Sequence, residues 1–118
     1  MAEKDDLGRR GEAVAAAWFE SHGYIVLDRN WRCRLGELDL VLRHGRTTVF
    51  AEVKTRTSTA YGHPFEAITA AKARRLRQLA AEWCRARGAG TDDIRVDVVA
   101  VIDAWSAEPS IEHLIGAV

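Results

Sequence analysis

The chain has 118 residues, of which 47% are hydrophobic and 29% are charged. This length predicts one domain, residues 1–118, with a core large enough to fold without disulfides or structural metals. No apolar run approaches the roughly 18 residues of a membrane-spanning helix, and the N-terminus lacks the apolar stretch of a signal peptide. Cys33 and Cys84 are isolated, which fits a cytoplasmic protein but leaves a disulfide between them open.

The net charge is zero, but the charges are unevenly distributed. Residues 28–57 carry seven Lys/Arg against four Asp/Glu, residues 72–87 six against one, and residues 91–118 one against six. The middle of the chain is therefore basic and the C-terminal segment is acidic. Overall neutrality argues weakly against nucleic-acid binding, whereas the basic middle is compatible with it. Ordinary solvated faces explain the same pattern equally well.

The first predicted element is a helix that begins near Leu7. Asp5 or Asp6 is suited to cap its N-terminus, and Gly23 is suited to end it. The helix carries an apolar stripe at helical spacing, which consists of Leu7, Val14 and Trp18.

Three strands are predicted next, at residues 24–30, 37–43 and 48–55. A short connection at 44–46 indicates that the second and third strands pair antiparallel. Alternation along the second strand predicts one face with Leu38, Leu40 and Leu42 and an opposite face with Glu37, Asp39 and Val41. On the third strand, Val49, Ala51 and Val53 share a face.

The second half of the chain predicts a loop at 56–64, a helix at 70–87 and strands at 95–102 and 111–115. Thr69 and Gly88 are the expected caps of this helix. Its apolar stripe consists of Leu76, Leu79, Ala80 and Trp83. A long helix between strands three and four indicates a parallel crossover, so the fold class is α/β, a mixed sheet flanked by helices.

The segment "FAEVKTR" at residues 50–56 places charges in an otherwise apolar strand. Residues i and i+2 of a strand share a face, so Glu52 and Lys54 point the same way, as do Glu37 and Asp39 on the preceding strand. If the hairpin brings the two pairs together, the carboxylates repel, and Mg²⁺ or Mn²⁺ relieves the repulsion. Such a cation polarises a phosphoryl oxygen, and Lys54 is suited to orient the attacking water.

A surface hairpin is the alternative interpretation. Its charges would form ion pairs such as Glu52 with Lys54, worth about 0–1 kcal/mol each. The metal site is favoured because charges inside apolar strands demand partners. Three arginines suited to phosphate also flank these strands, namely Arg32, Arg34 and Arg56.

The chain resembles a known family through several motifs in a fixed order. They are Gly8-x-x-Gly11-Glu12, "NWRCRLGELDLV" at 30–41, "FAEVKTR" at 50–56, "YGHPFEAIT" at 61–69, and Lys72. Together these motifs resemble the YraN-like family of small bacterial proteins, which has the restriction-endonuclease-like fold. The resemblance extends over residues 8–102, and the combination is far more specific than the Glu-x-Lys element alone.

This resemblance implies an αβββαβ nuclease core of the PD-(D/E)xK type that hydrolyses DNA with Mg²⁺ or Mn²⁺. Asp39 and Glu52 would be the metal-binding acids, the Val53 carbonyl a further ligand, and Lys54 the residue serving the attacking water. DNA contacts are expected from Arg32, Arg34, Arg56 and Lys72.

Similarity to archaeal Holliday-junction resolvases extends these expectations. It implies a supporting role for Glu12 at the site, branched or junction DNA as a substrate class, and a homodimer. Leu38 stands where many members of the superfamily have proline. The sequence leaves open DNA versus RNA, and also a non-catalytic nucleic-acid-binding or protein-binding module on the same fold.

Several residues admit a plainer interpretation. Glu12 is expected in the first turns of its helix, where a favourable dipole interaction is the alternative to a site role. Glu37 is interpreted as a surface partner of an arginine rather than a fourth carboxylate, and Lys72 is either a snorkelling side chain or a DNA contact. Trp31 is interpreted as a core or interface aromatic rather than a residue that stacks on a base. Asp97 is expected to be a paired structural acid, and the four histidines show no ligand spacing.

Overall fold

The computed structural model describes residues 2–60, 62–88 and 93–117, with side chains from residue 6 onward. Tyr61, which opens the motif at 61–69, lies outside these ranges, as do residues 89–90, which follow the predicted helix cap at Gly88. The helices are α1 (Ala2–Ser21) and α2 (Ala70–Arg87), and a short 3₁₀ turn spans Pro64–Ala67. The strands are β1 (Ile25–Cys33), β2 (Gly36–His44), β3 (Thr47–Arg56), β4 (Ile94–Ile102) and β5 (Ser110–Leu114).

The five strands form one mixed sheet in the order β1-β2-β3-β4-β5. Neighbouring strands are antiparallel except β3 and β4, which are parallel. The parallel pair is joined through α2, since a parallel connection needs a long crossover. The predicted α/β class is confirmed, and the element order is consistent with a restriction-endonuclease-like core.

Two hydrophobic cores lie on opposite faces of the sheet. The α1-side core buries Ala15, Ala16 and Phe19 against central strands, and the predicted α1 stripe packs against it. The α2-side core contains the whole predicted α2 stripe together with Phe50 and Val96. Both faces of the central strands are therefore covered, which explains their nearly continuous apolar sequences.

The N-terminus of α1 differs from the prediction. The helix begins at Ala2, so the proposed caps at Asp5 and Asp6 are wrong. The Asp6 carboxylate lies within the helix and accepts a hydrogen bond from Arg9 Nη2 at 2.6 Å. Acidic residues stabilise the first turns of a helix as well as its cap, so their presence does not fix the starting residue.

The ends of α2 follow the prediction. The Thr69 hydroxyl accepts a hydrogen bond from the Lys72 backbone N–H at 3.1 Å. Gly88 has a φ of +62°, the left-handed conformation that ends helices and that glycine adopts without strain.

The alternation predicted for β2 is wrong at Leu38. Leu40 and Leu42 are buried in the α1-side core, but Leu38 is buried in the α2-side core with Val41. The regular pairing of β2 with β3 stops at Leu40 and Ala51. The change of facing at Leu38 thus lies beyond the end of the β2–β3 ladder, although Leu38 still pairs with Trp31 of β1.

Neither cysteine is in a disulfide. Cys33 is half-buried, Cys84 is buried, and both carry free thiols at the α2-side core. Burial raises the pKa of the Cys84 thiol. A thiol of this kind behaves as a small hydrophobic side chain rather than as a nucleophile.

Within the described ranges, no helix is both long and apolar enough to cross a membrane.

Gly11 controls the packing of α1 on β3. A Cβ at Gly11 would lie 1.9 Å from Thr55 Oγ1, whereas a Cβ at Gly8 has no atom within 4 Å. Gly11→Ala is therefore expected to lower the free energy of unfolding by about 1–3 kcal/mol. Gly8→Ala, its control on the same helix, is expected to raise that free energy by about 0.5–1 kcal/mol. Urea denaturation measures both, and equal effects of the two substitutions would contradict this packing.

Candidate active site

Asp39 lies where β2 and β3 separate. Past the last pair, Leu40 and Ala51, the Asp39 carboxylate takes the place of a backbone acceptor. The Val53 N–H donates to Asp39 Oδ2 at 2.8 Å. Asp39 is only 9% exposed, so its carboxyl group is both buried and held in a fixed orientation. Because the two strands separate here, the Asp39 carboxyl group accepts the hydrogen bond that a backbone carbonyl would accept if the ladder continued.

The side chain of Glu52 meets Asp39 at this point. The pKa of Asp39 is raised to about 9, mainly by burial, then by a hydrogen bond to Glu52 and by the Glu52 charge, with a smaller contribution from Glu12. The hydrogen bond from the Val53 N–H acts in the opposite direction. Without a bound cation, the Asp39 carboxyl group therefore retains its proton at neutral pH.

Lys54 lies two residues after Glu52 on β3 and places a positive charge beside that acid. Its Nζ lies 3.7 Å from Glu52 Oε2, and both side chains are 18% exposed. The ion pair proposed as the plain alternative thus exists, but it lies next to a buried acid rather than on an open surface. Lys54 is in position to balance negative charge beside Glu52.

A third and a fourth carboxylate approach Asp39, one from α1 and one from β2 itself. Glu12 on α1 and Glu37 on β2 each offer an oxygen, and these atoms and one of Asp39 lie within 4.8 Å of one another. Glu37 also accepts a hydrogen bond from Arg32 Nε at 2.6 Å. Glu37 therefore pairs with an arginine, as expected, and also faces the acidic cluster, while a role at a metal stays a prediction.

Glu12 is oriented by a residue that sequence reasoning did not assign to the site. Asn30 Nδ2 donates to Glu12 Oε1 at 2.8 Å. Asn30 has a φ of +48°, a conformation that asparagine tolerates better than most residues. Because α1 begins at Ala2, Glu12 lies well past the first turns, and the alternative based on the helix dipole is wrong.

Two hollows meet at Glu12. The larger is a cleft of about 590 Å³ lined by Leu7, Gly8, Glu12 and residues 53–57. The smaller is about 190 Å³, and Asp39, Asn30, Arg9 and Arg29 are among its lining residues. Glu12 and Asp39 therefore face open space that a ligand can enter, and Arg9 and Arg29 border the smaller hollow.

The four predicted DNA contacts are placed differently. Arg56 lines the cleft, and its Nη1 donates to the Thr55 carbonyl at 2.8 Å. Arg32 is occupied by Glu37. Arg34 is exposed, and its charge helps to lower the pKa of Glu82, after the larger effect of Arg85. Lys72 is exposed in the first turn of α2. Arg56 thus lines the same cleft as Glu12, and the DNA-binding roles of all four residues stay predictions.

Trp31 and Asp97 take the structural positions expected of them. Trp31 packs against the α2-side core, as expected. Asp97 is fully buried and accepts hydrogen bonds from Arg95 and His113, which confirms a paired structural acid. Arg9, Arg29 and Asn30 were not assigned to the site. Among them, only Asn30 carried a sequence signal, since it opens the "NWRCRLGELDLV" motif.

Comparison with known proteins identifies the family. A model described as "Uncharacterised protein family UPF0102" matches residues 11–101. The chain belongs to the UPF0102 family. A UPF0102 protein of Leifsonia xyli subsp. xyli is 60% identical over 118 residues, covering all of both chains. A UPF0102 protein of Arthrobacter sp. is 54% identical over 116 residues, covering 98% of each chain. The YraN-like resemblance is thereby confirmed, and the UPF0102 description itself carries no activity.

The pair Asp39 and Glu52 predicts an unusual pH dependence of stability. Between the ordinary aspartate pKa of 3.8 and the raised value of about 9, the folded state holds a proton that the unfolded state lacks. The free energy of unfolding of the metal-free protein therefore falls as pH rises through this window. Asp39→Asn is expected to flatten that slope and to stabilise the protein at pH above neutral. Thermal melts in a chelator test this, and parallel pH profiles of the two proteins would contradict it.

Proposed function

We propose that this UPF0102 protein is a Mg²⁺-dependent endonuclease that hydrolyses DNA phosphodiester bonds. One observation carries the proposal: the buried Asp39 carboxyl lies against Glu52, with Lys54 Nζ 3.7 Å from Glu52, at the strand separation. Two carboxyls held together in a poorly hydrated position require either a proton or a cation. Their environment is not that of a simple surface ion pair.

The donor set fits a hard divalent cation. Asp39 and Glu52 would hold it together with the Val53 carbonyl, and Glu12 and Glu37 contribute further oxygens nearby. Oxygen ligands without thiolate or imidazole suit Mg²⁺ or Mn²⁺ rather than a structural zinc ion. When bound, such a cation supplies Lewis acidity toward a phosphoryl oxygen and favours ionisation of water.

The side chains of the chain itself supply positioning and charge. The Val53 N–H fixes the Asp39 carboxyl, and Asn30 fixes Glu12. Lys54, beside Glu52, is suited to orient the attacking water or to balance charge that develops on the phosphate. Arg56 lines the same cleft, and a guanidinium binds phosphate oxygens in a bidentate manner. These groups together form a site for an anionic backbone next to paired acids.

The test is cleavage of junction, flap and linear DNA with Mg²⁺ or Mn²⁺. The wild-type protein is expected to cut at least one of these substrates, and a single-stranded RNA of the same sequence tests the choice of DNA. Absence of cutting above the level of an Asp39→Asn control on every substrate would reject catalysis. Salt-dependent DNA binding that survives loss of both acids would instead support a non-catalytic binding module.

A further inference from the structure

Trp105 is the most exposed large apolar side chain in the described part of the chain, at 64%. It lies in the turn between β4 and β5, beyond the residues that carry the family resemblance. A large aromatic ring that stays exposed to water does not stabilise the fold through burial in the core. The neighbours of the ring therefore indicate which ligand it is suited to contact.

A cation lies over this ring. The Arg10 guanidinium carbon is 5.6 Å from the centroid of the Trp105 ring. Arg10 Nε also donates to the Ala104 carbonyl at 3.0 Å, which attaches α1 to the turn. The ring and the guanidinium thus form one unit, the Arg10–Trp105 platform.

The turn that carries the platform is anchored. Ala104 is fully buried in the α1-side core. The Asp103 N–H donates to the Arg56 carbonyl at 2.8 Å, and the Ser106 N–H donates to the Asp103 carbonyl at 3.0 Å. An aromatic ring on a rigid support loses little entropy when a flat ligand stacks on it.

The same contacts attach the platform to the candidate active-site cleft. Arg56, whose carbonyl holds Asp103 of the turn, is also a lining residue of the cleft. The platform is therefore at the edge of the space where the phosphodiester would bind. The turn also carries exposed Asp103 and Glu108, so phosphate is disfavoured there, whereas an uncharged base is suited to the ring.

We propose that the Arg10–Trp105 platform stacks an unpaired base of the DNA strand that occupies the cleft. The inference rests on the proposed nuclease function and makes the substrate class more specific. Bases inside a continuous duplex are already stacked on each other, so the platform favours a flap or another single-stranded segment beside the cleavage point. Stacking on an aromatic ring is tolerant of base identity, and no sequence preference is expected.

Binding of fluorescein-labelled oligonucleotides of about 20 nucleotides tests the inference by anisotropy without divalent metal. The probes are a single strand, a flap and a blunt duplex. Trp105→Ala is expected to weaken binding of the single strand and the flap by about 5- to 100-fold, with blunt-duplex binding unchanged. Trp105→Phe, which keeps a stacking ring, is expected to retain most of the affinity.

Ile25→Ser is the matched control, because Ile25 is 61% exposed but pairs with Arg43 at the opposite end of the sheet. It is expected to leave all three affinities unchanged. Equal losses on duplex and single strand, or no loss in Trp105→Ala, would overturn the inference while wild-type cleavage upheld the proposed function. If the wild-type protein bound and cut no oligonucleotide, both proposals would fail.

Discussion

Asp39→Asn and Glu52→Gln are each expected to lower the rate of metal-dependent DNA cleavage by about 10³-fold or more. A bound cation contributes several kcal/mol of charge stabilisation, and each 1.36 kcal/mol is worth about a factor of ten in rate. Asp39 is held by the Val53 N–H and faces Glu52, so loss of either carboxylate removes half of the central pair. Single-turnover cleavage with saturating enzyme measures the effect without a contribution from product release.

Glu82→Gln provides the control for this experiment. Glu82 lies on α2 and pairs with Arg85 at 2.6 Å, so its substitution removes a carboxylate from the molecule without touching the strand separation. Its cleavage rate is expected to equal that of the wild type. The assignment of Asp39 and Glu52 would be contradicted if both variants cut as fast as Glu82→Gln.

Asp97→Ala is expected to lower the free energy of unfolding by about 3–5 kcal/mol, the usual cost of leaving one member of a buried ion pair without its partner. Asp97 is fully buried. It accepts hydrogen bonds from Arg95 Nε at 2.9 Å, from His113 Nε2 at 2.7 Å and from the Gly116 N–H at 2.9 Å. The hydrogen bond from Arg95 to Asp97 raises the pKa of Arg95. Because an arginine is charged even without such a partner, Asp97→Ala leaves the guanidinium charged and without its carboxylate.

Asp93→Ala is the corresponding control. Asp93 precedes β4, is exposed, and accepts a hydrogen bond from Thr47 Oγ1 at 2.6 Å. Its loss is expected to cost no more than about 1 kcal/mol. Urea denaturation of both variants gives the comparison, and a similar small cost at the two positions would show that the Asp97 network contributes little.

The sequence predicted the elements and the convergence of acids because both depend on local rules. Alternation in β3 placed Glu52 and Lys54 together, and the short hairpin brought β3 back beside Asp39. The two helical stripes identified both cores. These features require only residues close to one another in the chain.

Other features depend on distant residues and were not predictable in this way. The change of facing at Leu38 lies beyond the end of a ladder between two strands. The contact of Asn30 with Glu12 requires a positive φ in β1 and the packing of α1 over it. The turn that carries Trp105 is held by contacts with Arg10 and Arg56, both of which lie far from it in the sequence. Sequence periodicity carries none of this information.

Anomalous diffraction from a crystal soaked in Mn²⁺ tests whether Asp39 and Glu52 hold a divalent cation. A peak is expected between them, with carboxylate oxygens of both residues at roughly 2.0–2.2 Å, the distance expected for a small hard cation. Absence of a peak there, or a peak whose ligands exclude both residues, would contradict this assignment.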